Sequence, residues 1–396
     1  MKRSQTPIRT ALRVGLITTA AVLVQGCATN KMGIGPDYQS PAPNTPSEYR
    51  YASRKNGHQS ASPEQWWKVF NDSGLNRLIS QVGNRNHTLK AGLKRIEQSR
   101  ALITKAGSAT FPQVATAPGF NRVRTSDETI GSGTSSNYNL PLSVDWEIDL
   151  FGRIRRSEEA ATADAQAIEE DYAALQLSLE AEAAQSYFAL GALDREISIV
   201  QEGVASRKAS LKLAGDRKEL GAVSGLDVAQ AKSLLATGEA DLAGLRRLRA
   251  AREASLAVLA GKPVTGFQLA SRPLTGSPAS VPAGLPSELL RARPDIRRAE
   301  RTLAAENARV GVATAAFYPS LSLSGNLGVQ ADDIGRLFNN GARFWGIGPD
   351  VYLPIFQGGR NKAELARSKA RYEEVLEDYQ QAVLESLAEV EIALSA

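Results

Sequence analysis

Few side chains in this sequence could carry chemistry. The 396 residues include one cysteine, Cys27, and two histidines, His58 and His87. A single cysteine excludes an internal disulfide and a cysteine-based metal cluster, and two histidines poorly supply a zinc site or a Ser-His-Asp triad. Carboxylates lie at spacings typical of solvated helix pairs, and no phosphate loop or nucleophile elbow occurs. We therefore expect no enzyme, no metal site and no bound cofactor.

The chemistry best supported by the sequence is acylation of the Cys27 thiol. Four basic residues precede the apolar run Val14–Val24, which is too short to span a bilayer but typical of a signal peptide. The run ends in Leu23-Val24-Gln25-Gly26-Cys27, which resembles a bacterial lipobox. We predict that residues 1–26 are removed, that Cys27 takes a diacylglycerol and an N-acyl chain, and that Ala28 favours the outer membrane. Ordinary secretion with an incidental thiol is the alternative.

Charge argues against a nucleic-acid-binding protein. The formal net charge is +5, but residues 1–26 contain four basic and no acidic residues, so the remainder carries only +1. A nucleic-acid-binding chain needs a basic surface after processing. Residues 27–65 are rich in Pro, Ser and Asn, which predicts an extended tether.

An internal repeat organises the rest of the sequence at an offset of about 205–207 residues. The first repeat covers residues 66–261 and the second covers residues 294–396, with a linker at 262–293. Each copy reads helix, strand, turn, strand, helix, although the helical hairpin of the second copy is incomplete.

Four segments alternate apolar and polar residues with a period of two, at about 111–124, 137–150, 317–330 and 344–356. Such strands fit either a transmembrane barrel or a soluble sandwich with one buried face. Four strands cannot close a barrel in lipid, so a membrane protein would need two or three copies to share one. On the polar side we expect Asp145, Glu147 and Asp149 to line a cation-favouring lumen.

A long helical hairpin is predicted at residues 152–261. Residues 153–219 contain no proline and form one candidate helix of 67 residues, about 100 Å long at 1.5 Å per residue. Apolar residues recur at coiled-coil spacing in both arms. The tip, residues 221–227, has Gly221 to end one helix and a capping-box pattern to start the next. Its apolar residues should dock a partner; the predicted docking tip is Gly221, Ala222, Val223, Ser224, Gly225, Leu226 and Asp227.

Together these features resemble the outer-membrane factor family, the TolC-like export ducts, and its NodT-type lipoprotein branch. The matching motifs are spread over the mature chain: the lipobox ending in Cys27, Gly35-Pro36-Asp37-Tyr38, Trp66-Trp67-Lys68-Val69-Phe70, Trp146 to Arg153, Gly221 to Asp227 followed by Val228-Ala229-Gln230-Ala231, Arg293-Pro294-Asp295-Ile296-Arg297, and Leu353 to Arg360.

The resemblance implies a mainly α-helical fold with a membrane β-barrel portion. Three protomers would share a 12-stranded barrel in the outer membrane above a periplasmic tunnel of helices. The tip at residues 221–227 would meet a periplasmic adaptor, and an inner-membrane pump, commonly of the resistance-nodulation-division type, would feed the duct. Such ducts pass drugs, metal ions or other small molecules without catalysis.

Compared with the first repeat, the second lacks about 70 residues after the start of its long helix, so we expect the sequence to be C-terminally truncated. No gate residue can be assigned. A periplasmic adaptor and a structural envelope lipoprotein are the alternatives.

Overall fold

The computed structural model describes residues 34–42, 46–51, 65–128, 130, 132–274 and 292–395. The predicted signal peptide and Cys27 lie outside these residues. The chain forms two compact units. The first, the sheet unit, comprises the segment up to Pro41 with Ser99–Ala165 and Glu300–Tyr379; the second, the hairpin unit, comprises Ala42–Gln98, Gln166–Ala299 and the chain from Gln380. Both draw on both predicted repeats, so the repeats are not separate compact domains.

Six α-helices and five β-strands make up the described chain. The helices are α1 (Ser73–Arg85), α2 (His87–Gly107), α3 (Arg153–Glu219), α4 (Gly225–Leu259), α5 (Pro294–Ala315) and α6 (Arg360–Ser395). The strands are β1 (Gln113–Thr116), β2 (Gly119–Thr125), β3 (Gly133–Ile148), β4 (Ser320–Ala331) and β5 (Arg343–Tyr352). Among the described residues, no helix is both long enough and apolar enough to cross a membrane.

Helix α3 has the predicted bounds and length of 67 residues. It ends where Gly221 adopts a left-handed conformation with φ of 71°. There the Ala222 N–H donates to the Arg217 carbonyl and the Gly221 N–H to the Lys218 carbonyl, both at 2.9 Å. This pair of bonds is a Schellman motif, which satisfies carbonyls that the helix end would otherwise leave without partners.

Apolar packing in the hairpin unit joins α1, α3, α4 and the segment after α4. Its main cluster consists of small and aliphatic side chains closed by one aromatic ring: Leu78, Val82, Ala183, Leu190, Leu256, Ala257, Leu259, Ala260 and Phe267. A second cluster places the Trp66 and Trp67 rings beside Leu75 and Ile79. The tryptophans therefore pack a short 3₁₀ helix onto its neighbours.

An ion-pair network fixes the segment after α4 to the hairpin. The Arg249 guanidinium donates to Asp194 at 2.6 Å and to the Leu269 carbonyl at 2.9 Å, and the Arg272 N–H donates to Asp194 at 2.8 Å. The Asp194 side chain is only 3% exposed. Burial alone raises the pKa of Asp194, but the hydrogen bonds from Arg249 and Arg272 outweigh it and hold that pKa below its usual value.

The sheet unit contains one antiparallel sheet in the order β1-β3-β4-β5, with β2 also paired to β3. The predicted first strand is two strands, because Ala117 and Pro118 interrupt it. Pairing continues across this gap without a shift: Thr116 lies opposite Leu142 and Gly119 lies opposite Asn139. A proline lacks the N–H that a continuous ladder requires.

An N-terminal strap, Gly35–Tyr38, binds the helices of the sheet unit. Arg156 is buried and donates to Asp37 at 2.8 Å, and the Asn307 side-chain amide donates to the Pro36 carbonyl at 2.9 Å. The Tyr38 hydroxyl donates to Glu300 at 2.9 Å. Gly35 has φ of 98°, and a Cβ there would lie 2.6 Å from the Gly311 Cα, so only glycine fits. The sequence assigned this segment to an extended tether, whereas the structure packs it against the fold.

We predict that Asp194→Ala lowers the free energy of unfolding of the hairpin unit by about 3–5 kcal/mol, because it leaves the Arg249 charge buried without its main partner. Urea unfolding followed by helical circular dichroism measures this. Because the pKa of Asp194 is lowered in the fold, the stabilisation is present above the ordinary Asp pKa of about 4 and is lost as pH falls through the lowered value.

Glu364→Ala is the matched control, since its ion pair with Arg367 is exposed. We expect no measurable change from it. Equal unfolding midpoints for Asp194→Ala and Glu364→Ala would contradict the role of the buried pair.

Candidate functional site

One face of the sheet is mainly apolar between the rows of Tyr138 and Ile148 of β3. Residues directly opposite each other in an antiparallel pair point to the same side. The register therefore places on one face Tyr138, Leu140, Leu142, Val144, Trp146 and Ile148 of β3 with Leu321, Leu323, Leu327 and Val329 of β4. Strand β5 adds Trp345, Ile347 and Val351 to the same face.

This apolar face lies open in the single chain. The exposed fraction is 79% for Trp345, 70% for Ile347 and 69% for Val351, and Leu140 and Leu142 are also exposed. Soluble proteins rarely expose a contiguous apolar patch of this size. The predicted alternative of a soluble sandwich with this face buried is therefore wrong for the described chain.

The opposite face is polar and carries acidic groups from two strands. Asp145 on β3 lies opposite Ser324 of β4, and Ser324 donates to Asp350 of β5 at 3.0 Å. Ser322 lies opposite both Glu147 and Asp350. Asp145, Glu147 and Asp350 thus share one side of the sheet.

Two of the three predicted lumen acids have other partners. Glu147 accepts two hydrogen bonds from the Arg153 guanidinium, at 2.9 and 2.7 Å. Asp149 lies beyond β3, which ends at Ile148, and accepts from the N–H groups of Ile154 and Arg155. The placement of Asp149 on the strand is wrong, because this carboxylate satisfies free N–H groups in the first turn of α3.

Sequence reasoning missed Asp350, although the repeat held the signal. At an offset of 205 residues Asp145 corresponds to Asp350, just as Phe151 corresponds to Phe356. The polar-face pair is therefore Asp145 and Asp350. A cation-favouring lumen lined by these acids stays a prediction.

The hairpin tip has the predicted local structure. Ser224 caps α4, and the capping box with Asp227 is complete: the Asp227 N–H donates to the Ser224 hydroxyl at 3.3 Å, and the Ser224 N–H donates to Asp227 at 2.8 Å. The Ser224 hydroxyl also donates to Asp227, and these bonds hold the pKa of Asp227 below its usual value.

The apolar surface at the tip differs from the prediction in one residue. Leu226 is 66% exposed and Leu220, just before the predicted tip, is 84% exposed, whereas Val223 is half-buried. The surface available to a partner is therefore formed by Leu220 and Leu226. The remaining predicted tip residues, Gly221, Ala222, Ser224, Gly225 and Asp227, are exposed.

The expected absence of a metal site and the expected acylation of Cys27 both stay predictions. Within the described ranges, no group of three or more His, Cys, Asp or Glu side chains is arranged to hold a metal ion. Cys27 lies outside those ranges, so its acylation stays a prediction.

We predict that Ser224→Ala destabilises the start of α4 by about 1 kcal/mol, because the alanine removes the N-cap acceptor. Hydrogen exchange of the amides just after residue 224 should become about fivefold faster. Ser233→Ala, an exposed mid-helix change on α4, is the control and should leave those amides unaffected. Equal exchange in the two variants would contradict the capping assignment.

Sequence comparison places the chain among efflux proteins. A family model described as "Outer membrane efflux protein" matches residues 78–262 and 285–396. The pyoverdine export outer membrane protein OpmQ of Pseudomonas aeruginosa is 34% identical over 89% of this chain and 75% of its own length. The toluene efflux pump outer membrane protein TtgC of Pseudomonas putida is 32% identical over 96% of this chain and 79% of its own.

Solved structures agree with the sequence comparison. The outer-membrane channel OprN is 33% identical, with a TM-score of 0.83 over 92% of this chain and 82% of that one. The CmeC outer membrane channel of Campylobacter jejuni is 26% identical, with a TM-score of 0.85 over 91% of this chain and 79% of that channel. The fold class inferred from the sequence is thereby confirmed, and the similarities favour a channel over an adaptor or a structural lipoprotein. The chain belongs to the outer membrane efflux protein family and acts as an efflux channel of the outer membrane.

Proposed function

We propose that three copies of this chain form the channel by sharing one β-barrel. The observation that carries this proposal is the open apolar sheet of the single chain. Among the described residues, the sheet ends in two edges without a strand partner, β1 with β2 on one side and β5 on the other. Open edges are not tolerated in lipid, because their backbone groups would lack partners. Joining β5 of one copy to β1 and β2 of the next satisfies both edges.

The number of copies follows from strand count together with the similarity to solved channels. Counting β1 and β2 as one interrupted strand, each copy brings four strands, so two copies give eight and three give twelve. Both are possible barrel sizes. The similarity to OprN and CmeC supports three, as the family resemblance implies.

The hairpin tip is the proposed contact to a periplasmic adaptor. Leu220 and Leu226 are exposed at the tip, and apolar side chains in that position gain from a covering partner. Relatives are outer membrane proteins of efflux pumps, which supports an inner-membrane pump as a further partner. A resistance-nodulation-division pump is the proposed type.

Acylation of Cys27 would anchor the N-terminus beside the sheet unit. Gly35 is held in the strap, and it lies eight positions after Cys27 in the sequence. An extended chain spans at most about 3.6 Å per residue, so the Cα of residue 27 can be at most about 29 Å from the Gly35 Cα. Several acyl chains give stable anchoring, whereas one is marginal.

The cargo class is small molecules, as the relatives export pyoverdine, toluene or antibiotics. Drugs and metal ions are both proposed cargoes. The chain contributes a passive conduit with no catalytic step, and the pump would supply the energy.

We predict that Asp145→Asn with Asp350→Asn lowers the cation preference of the pore at least threefold, because the two substitutions remove two negative charges per copy from the polar face of the sheet. Permeability ratios in planar lipid bilayers measure this at low salt, where screening is weakest.

Two controls accompany the ion measurement. Glu147→Gln breaks the Arg153 pair and should lower stability more than selectivity. The triple change Asp145→Asn, Glu147→Gln, Asp149→Asn tests the original set of lumen acids. If neither the double nor the triple variant alters ion selectivity, the acidic lumen is wrong.

The proposed assembly is tested by native mass spectrometry of the protein extracted from outer membranes. We expect a species of three chains, each carrying about three acyl chains. Cys27→Ala should remove the acyl mass, and because Cys27 is the sole cysteine this variant is also cysteine-free. A mass of one or two chains in mild detergent would contradict the trimer.

A further inference from the structure

A basic patch lies on the apolar side of the sheet, at the end where loops connect β2 to β3 and β4 to β5. Arg122 of β2 lies opposite Ser136, and Arg124 lies opposite Thr134. Phe120 of β2 lies opposite Tyr138, which is on the apolar side. Side chains two and four residues further along a strand point to the same side, so both arginines point to the apolar side. Arg343 of β5 lies opposite Val329, which is on the same side. We call Arg122, Arg124 and Arg343 the arginine patch.

Aromatic side chains flank the patch: Arg122 and Arg124 lie beyond the Tyr138 row, and Arg343 lies in the Leu140 row just inside it. The Phe120 and Tyr138 rings pack in a tilted arrangement with centroids 4.6 Å apart, two residues before Arg122 on β2. Trp345 is exposed, one row from Arg343. From Ile148 to Tyr138 the strand is about 34 Å long, or about 26 Å high at a tilt of about 40°. That height matches the apolar band of a membrane barrel, whose edges carry aromatic residues.

The charges of the patch are largely uncompensated. Arg124 lies 3.7 Å from Asp127, but both side chains are about three-quarters exposed, so this pair is weak. Among the described residues, neither Arg122 nor Arg343 has a carboxylate within salt-bridge distance. The acidic groups Asp145, Glu147 and Asp350 lie on the opposite face. On the apolar side, the charged strand residues at this end are therefore all arginines, next to loops that also carry Asp127, Glu128, Asp332 and Asp333.

We propose that the arginine patch binds phosphate groups of a phosphorylated lipid in the leaflet next to the loops. This inference rests on the proposed function, in which the sheet spans the outer membrane. A guanidinium binds phosphate through two parallel hydrogen bonds, and basic side chains at a membrane surface attract anionic headgroups.

A lipid suits the patch better than a soluble phosphate for a structural reason. The patch continues directly into exposed apolar and aromatic side chains, including Phe120 and Trp345. Acyl chains would cover those side chains while the phosphates meet the arginines. Within one chain, Arg122 and Arg343 lie three strand spacings apart across the sheet and four residues apart along the strands, about 20 Å in all, so they would contact separate phosphate groups.

The test compares binding of lipid A, which carries two phosphates, with binding of the same lipid after dephosphorylation. Detergent-purified protein is titrated with each lipid, and bound lipid per chain is read by native mass spectrometry. We expect Arg122→Gln with Arg343→Gln to weaken lipid A binding at least fivefold. Arg122→Lys with Arg343→Lys keeps the charge and should weaken it less than twofold.

The matched control is Arg246→Gln with Arg247→Gln, which removes the same charge from two exposed positions on α4. We expect wild-type binding from it, and at least fivefold weaker binding of the dephosphorylated lipid to wild-type protein. Millimolar inorganic phosphate should compete less than twofold. Equal lipid A binding by the double glutamine variant and the wild type overturns the inference, as does equal loss in the control or displacement of lipid A by inorganic phosphate.

Heat-dependent gel mobility separates this inference from the proposed function. A wild type without a heat-sensitive membrane form contradicts the proposed function itself. A normally inserted double variant with unchanged lipid binding overturns only the lipid inference. If the double variant fails to insert, the single changes Arg122→Gln and Arg343→Gln are used, and each should lose at least twofold in binding.

Discussion

The structure depends on one constraint: backbone groups at the edges of a sheet in lipid must find partners. The described part of the single chain supplies a sheet of four strands, with β1 and β2 counted as one, that has an apolar face and two open edges. Such a sheet is stable neither in water, where its apolar face is exposed, nor alone in lipid, where its edges are unpaired. Association of copies resolves both problems, because it pairs the edges and lets lipid cover the apolar face. The strand count per copy then sets the size of the barrel.

The same chain segments that end the strands begin the long helices. Glu147, the second-last residue of β3, accepts hydrogen bonds from Arg153 at the start of α3. Asp149 accepts hydrogen bonds from N–H groups in the first turn of that helix. These contacts fix the junction between strand and helix within six residues. In the sheet unit the strap at Gly35–Tyr38 adds a second constraint, because Arg156, one turn into α3, is buried against Asp37. The N-terminal segment is thus part of the packing that positions the helix.

Local rules in the sequence predicted most of the fold. A proline-free run of helix-forming residues predicted the bounds of α3 correctly. Gly221, Ser224 and Asp227 predicted the turn, because helix ends depend on short-range hydrogen bonds. Period-two alternation predicted the strands, since one face of each strand meets an apolar environment. The lengths of β3 and β5 were less predictable: β3 begins four residues earlier and β5 ends four residues earlier than expected. Pairing to a neighbour, which lies far away in sequence, sets those ends. For the same reason the sequence could not show that the arginine patch lies on the apolar side, whereas the repeat did hold the signal for Asp350.

Disulfide cross-linking between the two sheet edges tests the shared barrel most directly. In the cysteine-free Cys27→Ala background, Ala115→Cys on β1 is combined in turn with Gly346→Cys or Gly348→Cys on β5; all three positions lie on the polar face. Neighbouring strands bring paired Cα atoms within disulfide range. The account predicts covalent dimers and trimers from at least one double variant and none from the single variants, because β1 of one copy meets β5 of the next. Monomers alone from both double variants, or cross-links from a single cysteine, would contradict it.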